Sequence, residues 1–180
     1  EQRRDEELLS VRTNLKSVVS SRFTFSGGLE WQRLESRRFK LVDDLLDADY
    51  HLDIDKFAEF AYPNDPAALS PDLSRPDRVV QEGDTFGYHY RQHLQRGAAW
   101  LQLAFTFRKI DLFLAGHGSI TEFYREGLWR NGIFPNSSAG SSEMLRFENY
   151  GGKAGLSIKF NGRNYLQLMG AYLNRAPFLD

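Results

Sequence analysis

The strongest constraint in this sequence is an alternation of apolar and polar residues with a period of two. From Phe23 to Gln32, the residues Phe23, Phe25, Gly27, Leu29 and Trp31 alternate with Thr24, Ser26, Gly28, Glu30 and Gln32. Successive side chains of a β-strand point to opposite faces, whereas a helix repeats every 3.6 residues. The pattern recurs along the chain and predicts an all-β protein with strands near residues 11–19, 23–34, 97–108, 111–125, 150–160 and 164–174.

The connections between these strands are of two kinds. Three are tight, at Ser20–Arg22, Lys109–Ile110 and Asn161–Arg163, and Asn-Gly between alternating runs is a strong hairpin signal. The other two, residues 36–96 and 126–149, are long. The sequence therefore predicts an antiparallel meander of about six strands, with tight turns at one end and long loops at the other.

Composition narrows the class of protein. With 180 residues the chain is sized for one domain, predicted over residues 1–180. Its 23 basic and 24 acidic side chains argue against a nucleic-acid partner. Cysteine is absent, which excludes disulfides and thiolate sites. No apolar run reaches the length of a transmembrane helix, and the start of the chain has no apolar segment typical of a signal peptide.

The arrangement of tight turns at one end and long loops at the other favours one kind of all-β protein. A loop of about sixty residues without structure counts against an ordinary compact sandwich or barrel. Bacterial transmembrane β-barrels combine short periplasmic turns, longer extracellular loops and strands of about ten alternating residues. The pattern therefore predicts a segment of a large transmembrane β-barrel with long extracellular loops.

Aromatic residues near the predicted strand ends agree with this prediction. Outer-membrane barrels carry aromatic girdles where the strands cross the two membrane interfaces. The candidates are Tyr124, Trp129, Tyr150, Tyr165 and Tyr172. In a protein without a membrane, the same residues would be the edges of a core.

Seven short motifs carry a resemblance to a known family. They are Asp43–Leu46, Glu82–Tyr88, Asp111–Gly116, Tyr124–Gly127, Asn131–Ser137, Asn161–Leu166 and Asn174–Pro177. Through them, the chain from Arg38 to Pro177 resembles the barrel region of TonB-dependent outer-membrane receptors of the type found among Bacteroidetes. The resemblance implies a receptor in the outer membrane of a Gram-negative bacterium. Its extracellular loops would bind a small nutrient ligand, and the TonB complex would energise uptake through parts of the protein outside this chain.

The chain also departs from that family. No TonB box and no plug domain are visible, and six strands are far fewer than the roughly 22 of a plugged outer-membrane transporter. The expectation is therefore an excised segment of the barrel wall, embedded in outer-membrane lipid in the complete protein. Its open strand edges would favour self-association of the isolated segment. The alternative is a soluble all-β ligand-binding or adhesion module.

Five residues of the long loops are candidates for ligand binding: Tyr88, His89, Tyr90, His93 and Trp129. The run from Tyr88 to His93 alternates aromatic and polar residues, which suits a strand. Residues four apart on a strand are about 13 Å apart, too far for His89 and His93 to share a metal ion. Aromatic rings with interleaved polar groups could instead stack on a sugar or another planar ligand.

No other constellation predicts catalysis, a metal or a cofactor. Asp53-Ile54-Asp55 is followed by Lys56 and Phe57, which fails the EF-hand pattern, so the acidic run from Asp43 to Asp55 is interpreted as a solvated loop with a short helix or turn. The neighbouring pair His117 and Ser119 lacks a nucleophile-elbow motif. The sequence therefore predicts a protein that is not an enzyme. Residues 36–96 carry twelve acids and eight bases, a balance that disfavours an anionic ligand at this loop.

Overall fold

The computed structural model describes residues 1–175, so Ala176 and Pro177, the end of the last motif, lie outside the described residues. Six long strands dominate the chain. The elements in chain order are β1 (Gln2–Ser20), β2 (Phe23–Leu41), β3 (His51–Leu52), helix α1 (Lys56–Ala61), a 3₁₀ turn (Pro66–Leu69), β4 (Val79–Val80), β5 (Thr85–Thr106), β6 (Ile110–Gly127), β7 (Gly140–Ser141), β8 (Leu145–Lys159) and β9 (Tyr165–Asn174).

The strands form one antiparallel sheet of seven strands and one small two-stranded sheet. The long strands follow the order β1-β2-β5-β6-β8-β9, and the short β7 pairs with β6. The second sheet contains only β3 and β4. The prediction of an all-β antiparallel meander is therefore confirmed. The three tight connections join β1 to β2, β5 to β6, and β8 to β9, as the sequence predicts.

The prediction for the last strand agrees within one residue, but the predicted β1, β2, β5 and β8 were too short. β1 begins at Gln2 instead of near residue 11, β2 continues to Leu41, and β5 begins at Thr85. The long connections consequently shrink to residues 42–84 and 128–144. The missed start of β1, Gln2–Glu7, is polar on both faces and lacks the apolar half of the alternation, whereas the missed start of β5 does alternate, from Phe86 to Tyr90. Backbone hydrogen bonds hold these stretches in the ladder, and such bonds leave no trace in side-chain hydropathy.

The described residues divide into two compact units. We call residues 1–8, 34–94 and 123–145 the loop unit, because they include both long connections. We call residues 9–33, 95–122 and those from Arg146 onward the strand unit, because they contain the three tight turns. Among residues 1–175, no helix is long and apolar enough to cross a membrane.

The loop unit has a small core of its own. Its buried apolar side chains are Phe39, Val42, Ala58, Ala68, Val80 and Trp129. Two aspartates of the acidic run and its continuation begin local elements. Asp55 accepts hydrogen bonds from the backbone N–H groups of Phe57 and Ala58 at the start of α1, and Asp65 accepts one from Ala67 at the start of the 3₁₀ turn.

The interpretation of the acidic run as a solvated loop with a short helix was partly wrong. The helix exists, but only Ala58 of α1 is buried, and Phe57 and Phe60 are each 88% exposed. Asp53 is buried, at 4% exposure, and its Oδ1 accepts the N–H of Gly87 at 2.9 Å. An aspartate buried with a backbone donor positions the chain, and composition cannot distinguish it from a solvated one.

The strand unit has one apolar and one polar face. In the β8–β9 pair, Leu156 faces Leu168 and Ile158 faces Leu166, whereas Ser157 faces Gln167 one position along. On the apolar face of β2 and β5, the rings of Phe23 and Phe105 stack at 4.8 Å.

The polar face carries ion pairs and one close approach between strands. Arg12 binds Glu30 at 2.6 Å, and Lys159 binds Asp111 at 2.6 Å. A Cβ atom on Gly28 would lie 2.6 Å from Nε1 of Trp100, so glycine is required there for the indole to cross the neighbouring strand.

Candidate functional site

Four of the five predicted binding residues lie on β5 within the loop unit, and Trp129 follows β6. Their contacts separate them into three groups. Tyr88 and Tyr90 contact each other, with ring centroids 5.7 Å apart. His89 contacts Phe39 and Trp129, whereas His93 contacts Tyr124. The five residues therefore do not form one site, although Tyr88, His89 and Trp129 line the same cavity.

The group around His89 is part of the core. Its ring contacts Phe39 at 5.5 Å and meets Trp129 edge-on at 5.8 Å. Trp129 is 7% exposed, and the guanidinium groups of Arg78 and Arg75 lie 5.0 and 5.7 Å from its ring centroid. Such burial is incompatible with the girdle role predicted for Trp129. A ligand-binding role for Trp129 and His89 stays a prediction.

The side chain of His93 is occupied by contacts with neighbouring side chains. The imidazole stacks on Tyr124, with ring centroids 4.7 Å apart. Its Nε2 lies 3.2 Å from Oε2 of Glu126, and Nδ1 lies 3.8 Å from Oε2 of Glu35. Arg91 approaches the same two carboxylates at 3.6 and 3.8 Å. This cluster links three neighbouring strands by charge. In the part of the chain that the structure describes, no group of three or more histidine and carboxylate side chains is arranged to hold a metal ion.

The group around Tyr88 is different because cations lie over its rings. Nζ of Lys40 is 5.7 Å from the ring centroid of Phe86 and 5.5 Å from that of Tyr88. The guanidinium of Arg125 is 4.5 Å from the ring centroid of Tyr90. We call Lys40, Phe86, Tyr88, Tyr90 and Arg125 the cation–aromatic row. Cations are attracted to the faces of aromatic rings at such distances.

Sequence reasoning missed three members of this row for identifiable reasons. Phe86 continues the period-two pattern of Tyr88 and Tyr90, so extending that pattern by one step would have included it. Lys40 lies on β2 and Arg125 on β6, the two strands that flank β5. Their approach depends on strand register across long connections, which the sequence does not specify.

Two adjoining cavities open beside the row. One, of about 480 Å³, is lined by residues that include Lys40, Lys56, Phe57, Phe86 and Tyr88. The other, of about 320 Å³, is lined by residues that include Tyr88, His89, Arg125, Trp129 and Phe134. Five residues line both: Asp55, Pro71, Gly87, Tyr88 and Asn131. We call the two together the Tyr88 cleft. Its volume lies within the range of small-molecule sites.

Gly87 connects the row to the loop. Its φ of +71° is a left-handed backbone conformation that other residues rarely adopt. A Cβ atom there would lie 3.0 Å from Cδ of Lys40, so the absent side chain leaves space for the lysine stem. Its N–H donates to the buried carboxylate of Asp53. Glycine at this position therefore places Lys40 and holds the loop against β5.

Two buried aspartates of the loop have opposite pKa shifts. Burial raises the pKa of Asp53, and the N–H of Gly87 and the nearby Arg78 guanidinium offset this only in part. Burial also acts on Asp72, but donors outweigh it there and lower the pKa of that carboxyl. Those donors are the Ser74 N–H, the Arg75 side chain and the Arg130 N–H. Asp72 is thus an ionised hydrogen-bond acceptor that joins its own segment, after the 3₁₀ turn, to Arg130, after β6.

Comparisons of the chain with protein-family models, with curated proteins and with solved structures find no match.

Proposed function

We propose that this chain is part of the wall of an outer-membrane β-barrel, specifically of a TonB-dependent receptor that binds a nutrient ligand through extracellular loops for energised uptake. One observation carries the proposal: the apolar face of the strand unit is uncovered. Leu15, Leu29 and Leu168 on this face are 61%, 64% and 55% exposed. All buried apolar side chains of residues 1–175 belong to the loop unit. An exposed apolar face of this extent needs an apolar solvent or partner, and lipid supplies one.

The strand lengths support the same proposal. Within the strand unit, each long strand contributes about 10 to 14 residues, although the whole strands reach 22. A tilted strand needs roughly 9–11 residues to cross the apolar core of a bilayer. The portions in the strand unit therefore fit a membrane crossing, and the remaining residues of β1, β2, β5 and β6 belong to the loop unit.

The distribution of side chains supports an apolar exterior and a polar lumen. Ion pairs such as Arg12–Glu30 and Lys159–Asp111 lie on one face, and leucines such as Leu156 and Leu168 lie on the other. Among the predicted girdle aromatics, Tyr150 and Tyr172 contact each other at 6.2 Å and are 53% and 65% exposed. Their register places them on the leucine face, as a girdle requires. Tyr165 faces Lys159 in the ladder, so its register places it on the opposite face.

The two edges of the sheet imply further strands. β1 and β9 each pair with one neighbour only, and almost all of their residues are exposed. Unpaired backbone N–H and C=O groups are not tolerated in the apolar part of a membrane. In this proposal, other strands of the complete receptor pair with β1 and β9. The chain by itself would cover these edges by association with other copies.

The proposal is tested on the source cell with an antibody raised against this sequence. We expect recovery in the outer-membrane fraction. Protease added to intact cells should cut residues 42–84 or 128–144, whereas the turns at Ser20–Arg22 and Asn161–Arg163 should be cut only after the outer membrane is permeabilised. Markers of the periplasm and of the outer membrane serve as controls for both steps.

The receptor part of the proposal has a separate test. The full reading frame should encode a plug domain and many further alternating strands, and a frame with neither would reject the receptor. Recovery in a soluble fraction, with cuts inside the strands, would reject the membrane and favour the alternative, a soluble all-β ligand-binding or adhesion module.

A further inference from the structure

We propose that the Tyr88 cleft binds a small compound that combines a planar aromatic ring with a carboxylate. The inference rests on the proposed function in one respect, because it names the ligand class of that receptor's loops. Its physical basis is the coincidence of aromatic faces and cations in one cleft.

The cations of the cleft face aromatic rings instead of carboxylates. Lys40 and Arg125 form no ion pair within residues 1–175, whereas Arg12, Arg78, Arg91 and Lys159 all lie within 4.0 Å of a carboxylate. Lys56 also lines the larger cavity. The single carboxylate that lines the cleft, Asp55, is engaged by the N–H groups at the start of α1. The cleft therefore has an excess of two positive charges, although residues 36–96 are acidic by composition.

A ligand carboxylate would improve on the present partners of these cations. A charge-assisted hydrogen bond from an ammonium or guanidinium to a carboxylate is stronger than a contact with a ring face. Arg125 in addition has the planar fork that matches a carboxylate. Binding would thus give Lys40 or Arg125 a better partner without burying an unpaired charge.

The apolar walls of the cleft select a flat ring. Tyr88 and Phe86 contribute ring surface from β5, and Phe57 lines the cavity from α1 although it is 88% exposed. Phe134, 62% exposed, contributes another ring to the smaller cavity. Offset or edge contacts with such rings favour aromatic over aliphatic ligands of the same size.

One amide adds a polar contact. Oδ1 of Asn131 accepts the N–H groups of Ile133 and Phe134 at 2.9 and 3.3 Å, which fixes the orientation of the side chain. Its Nδ2 group has no hydrogen-bond partner within the described residues, and Asn131 lines both cavities. The amide can therefore donate to an oxygen of a bound ligand.

Three probes test the inference with the purified chain in detergent micelles: naphthalene-2-carboxylate, naphthalene-2-methanol and decahydronaphthalene-2-carboxylate. The first has both the ring and the charge, and each of the others lacks one of them. We expect naphthalene-2-carboxylate to bind at least tenfold more tightly than either of the others by titration calorimetry. Equal binding of the neutral alcohol, or no binding of the carboxylate by the folded chain, would overturn the inference.

Matched variants locate the binding. The double variant Lys40→Gln, Arg125→Gln should weaken naphthalene-2-carboxylate binding about tenfold, and Tyr88→Leu should weaken both naphthalene probes. The control, Lys109→Gln, Arg163→Gln, removes the same charge at two exposed positions near the tight turns and should leave affinity unchanged. Circular dichroism of each variant checks folding. Loss of affinity in the control to the same extent would reject the site.

This experiment can fail independently of the proposed function. Outer-membrane recovery without binding of the probe would reject the ligand class and leave the receptor in place. Binding with recovery in the soluble fraction would reject the barrel and leave the cleft as the site of a soluble module.

Discussion

The loop unit and the strand unit use parts of the same long strands but treat apolar side chains in opposite ways. The loop unit buries six apolar side chains, together with Asp53 and Asp72. The strand unit buries no apolar side chain among its described residues, and its leucines stay exposed on one face. In our proposal, strands with the same alternation of apolar and polar residues therefore contact two different solvents. Under the proposed function, the loop unit faces water and the strand unit faces lipid.

The largest expected effect compares two tryptophans, one in each unit. Trp129→Ala should lower the free energy of unfolding of the loop unit by about 3–5 kcal/mol, because it leaves a cavity among His89, Arg75 and Arg78. Trp31→Ala in the strand unit should cost far less, since Trp31 is already 41% exposed. Denaturant unfolding of the chain in detergent, followed by fluorescence of the remaining tryptophans, measures both. Similar losses would contradict the claim that only the loop unit has a core.

The next comparison lies within the strand unit. Leu168 and Gln167 are neighbours on β9 that face Leu156 and Ser157 respectively, on opposite faces of the sheet. Leu168→Arg should cost about 2–4 kcal/mol if that face contacts the middle of a bilayer, whereas Gln167→Arg should cost little on a polar lumen face. Unfolding in lipid vesicles of the complete protein measures the difference. Equal tolerance of both substitutions would remove the lipid-facing assignment.

A third comparison concerns two glycines of β5. Gly87→Ala should destabilise the loop unit by about 1–2 kcal/mol, because its φ of +71° is unfavourable for a side chain. It should also weaken binding of naphthalene-2-carboxylate, since the added methyl group displaces Lys40. Gly97→Ala is the control, because a Cβ there would meet no atom within 4 Å. Thermal unfolding and titration calorimetry test both effects. An unaltered affinity in Gly87→Ala would mean that Lys40 does not contribute to binding in the Tyr88 cleft.

The two units also differ in how far the sequence predicts them. In the strand unit the faces follow from alternation and the hairpins follow from their turn residues, so Phe23–Trp31 and Asn161–Gly162 suffice to predict structure locally. In the loop unit the decisive contacts join residues distant in sequence, such as Gly87 with Asp53 and Arg130 with Asp72. Tyr88 and Tyr90 were predictable from their period of two. Lys40 and Arg125 were not, because register across residues 42–84 and 128–144 depends on packing that no local pattern encodes.

The smallest expected effect is a pH dependence in the loop unit. The pKa of Asp72 is lowered in the folded chain, so its contribution to stability is present above the unfolded pKa of about 3.9 and is lost as the pH falls through the folded pKa. Asp72→Asn should therefore cost about 1 kcal/mol at pH 7, and the difference from the unsubstituted chain should shrink below pH 4. Asp49→Asn, at an exposed position of the same connection, is the control and should cost nothing at either pH. Chemical unfolding at both pH values gives the four differences. A loss that is the same at pH 7 and at pH 3 would mean that Asp72 acts through shape alone. The contact between the Asp72 segment and Arg130 would then not depend on the charge of Asp72.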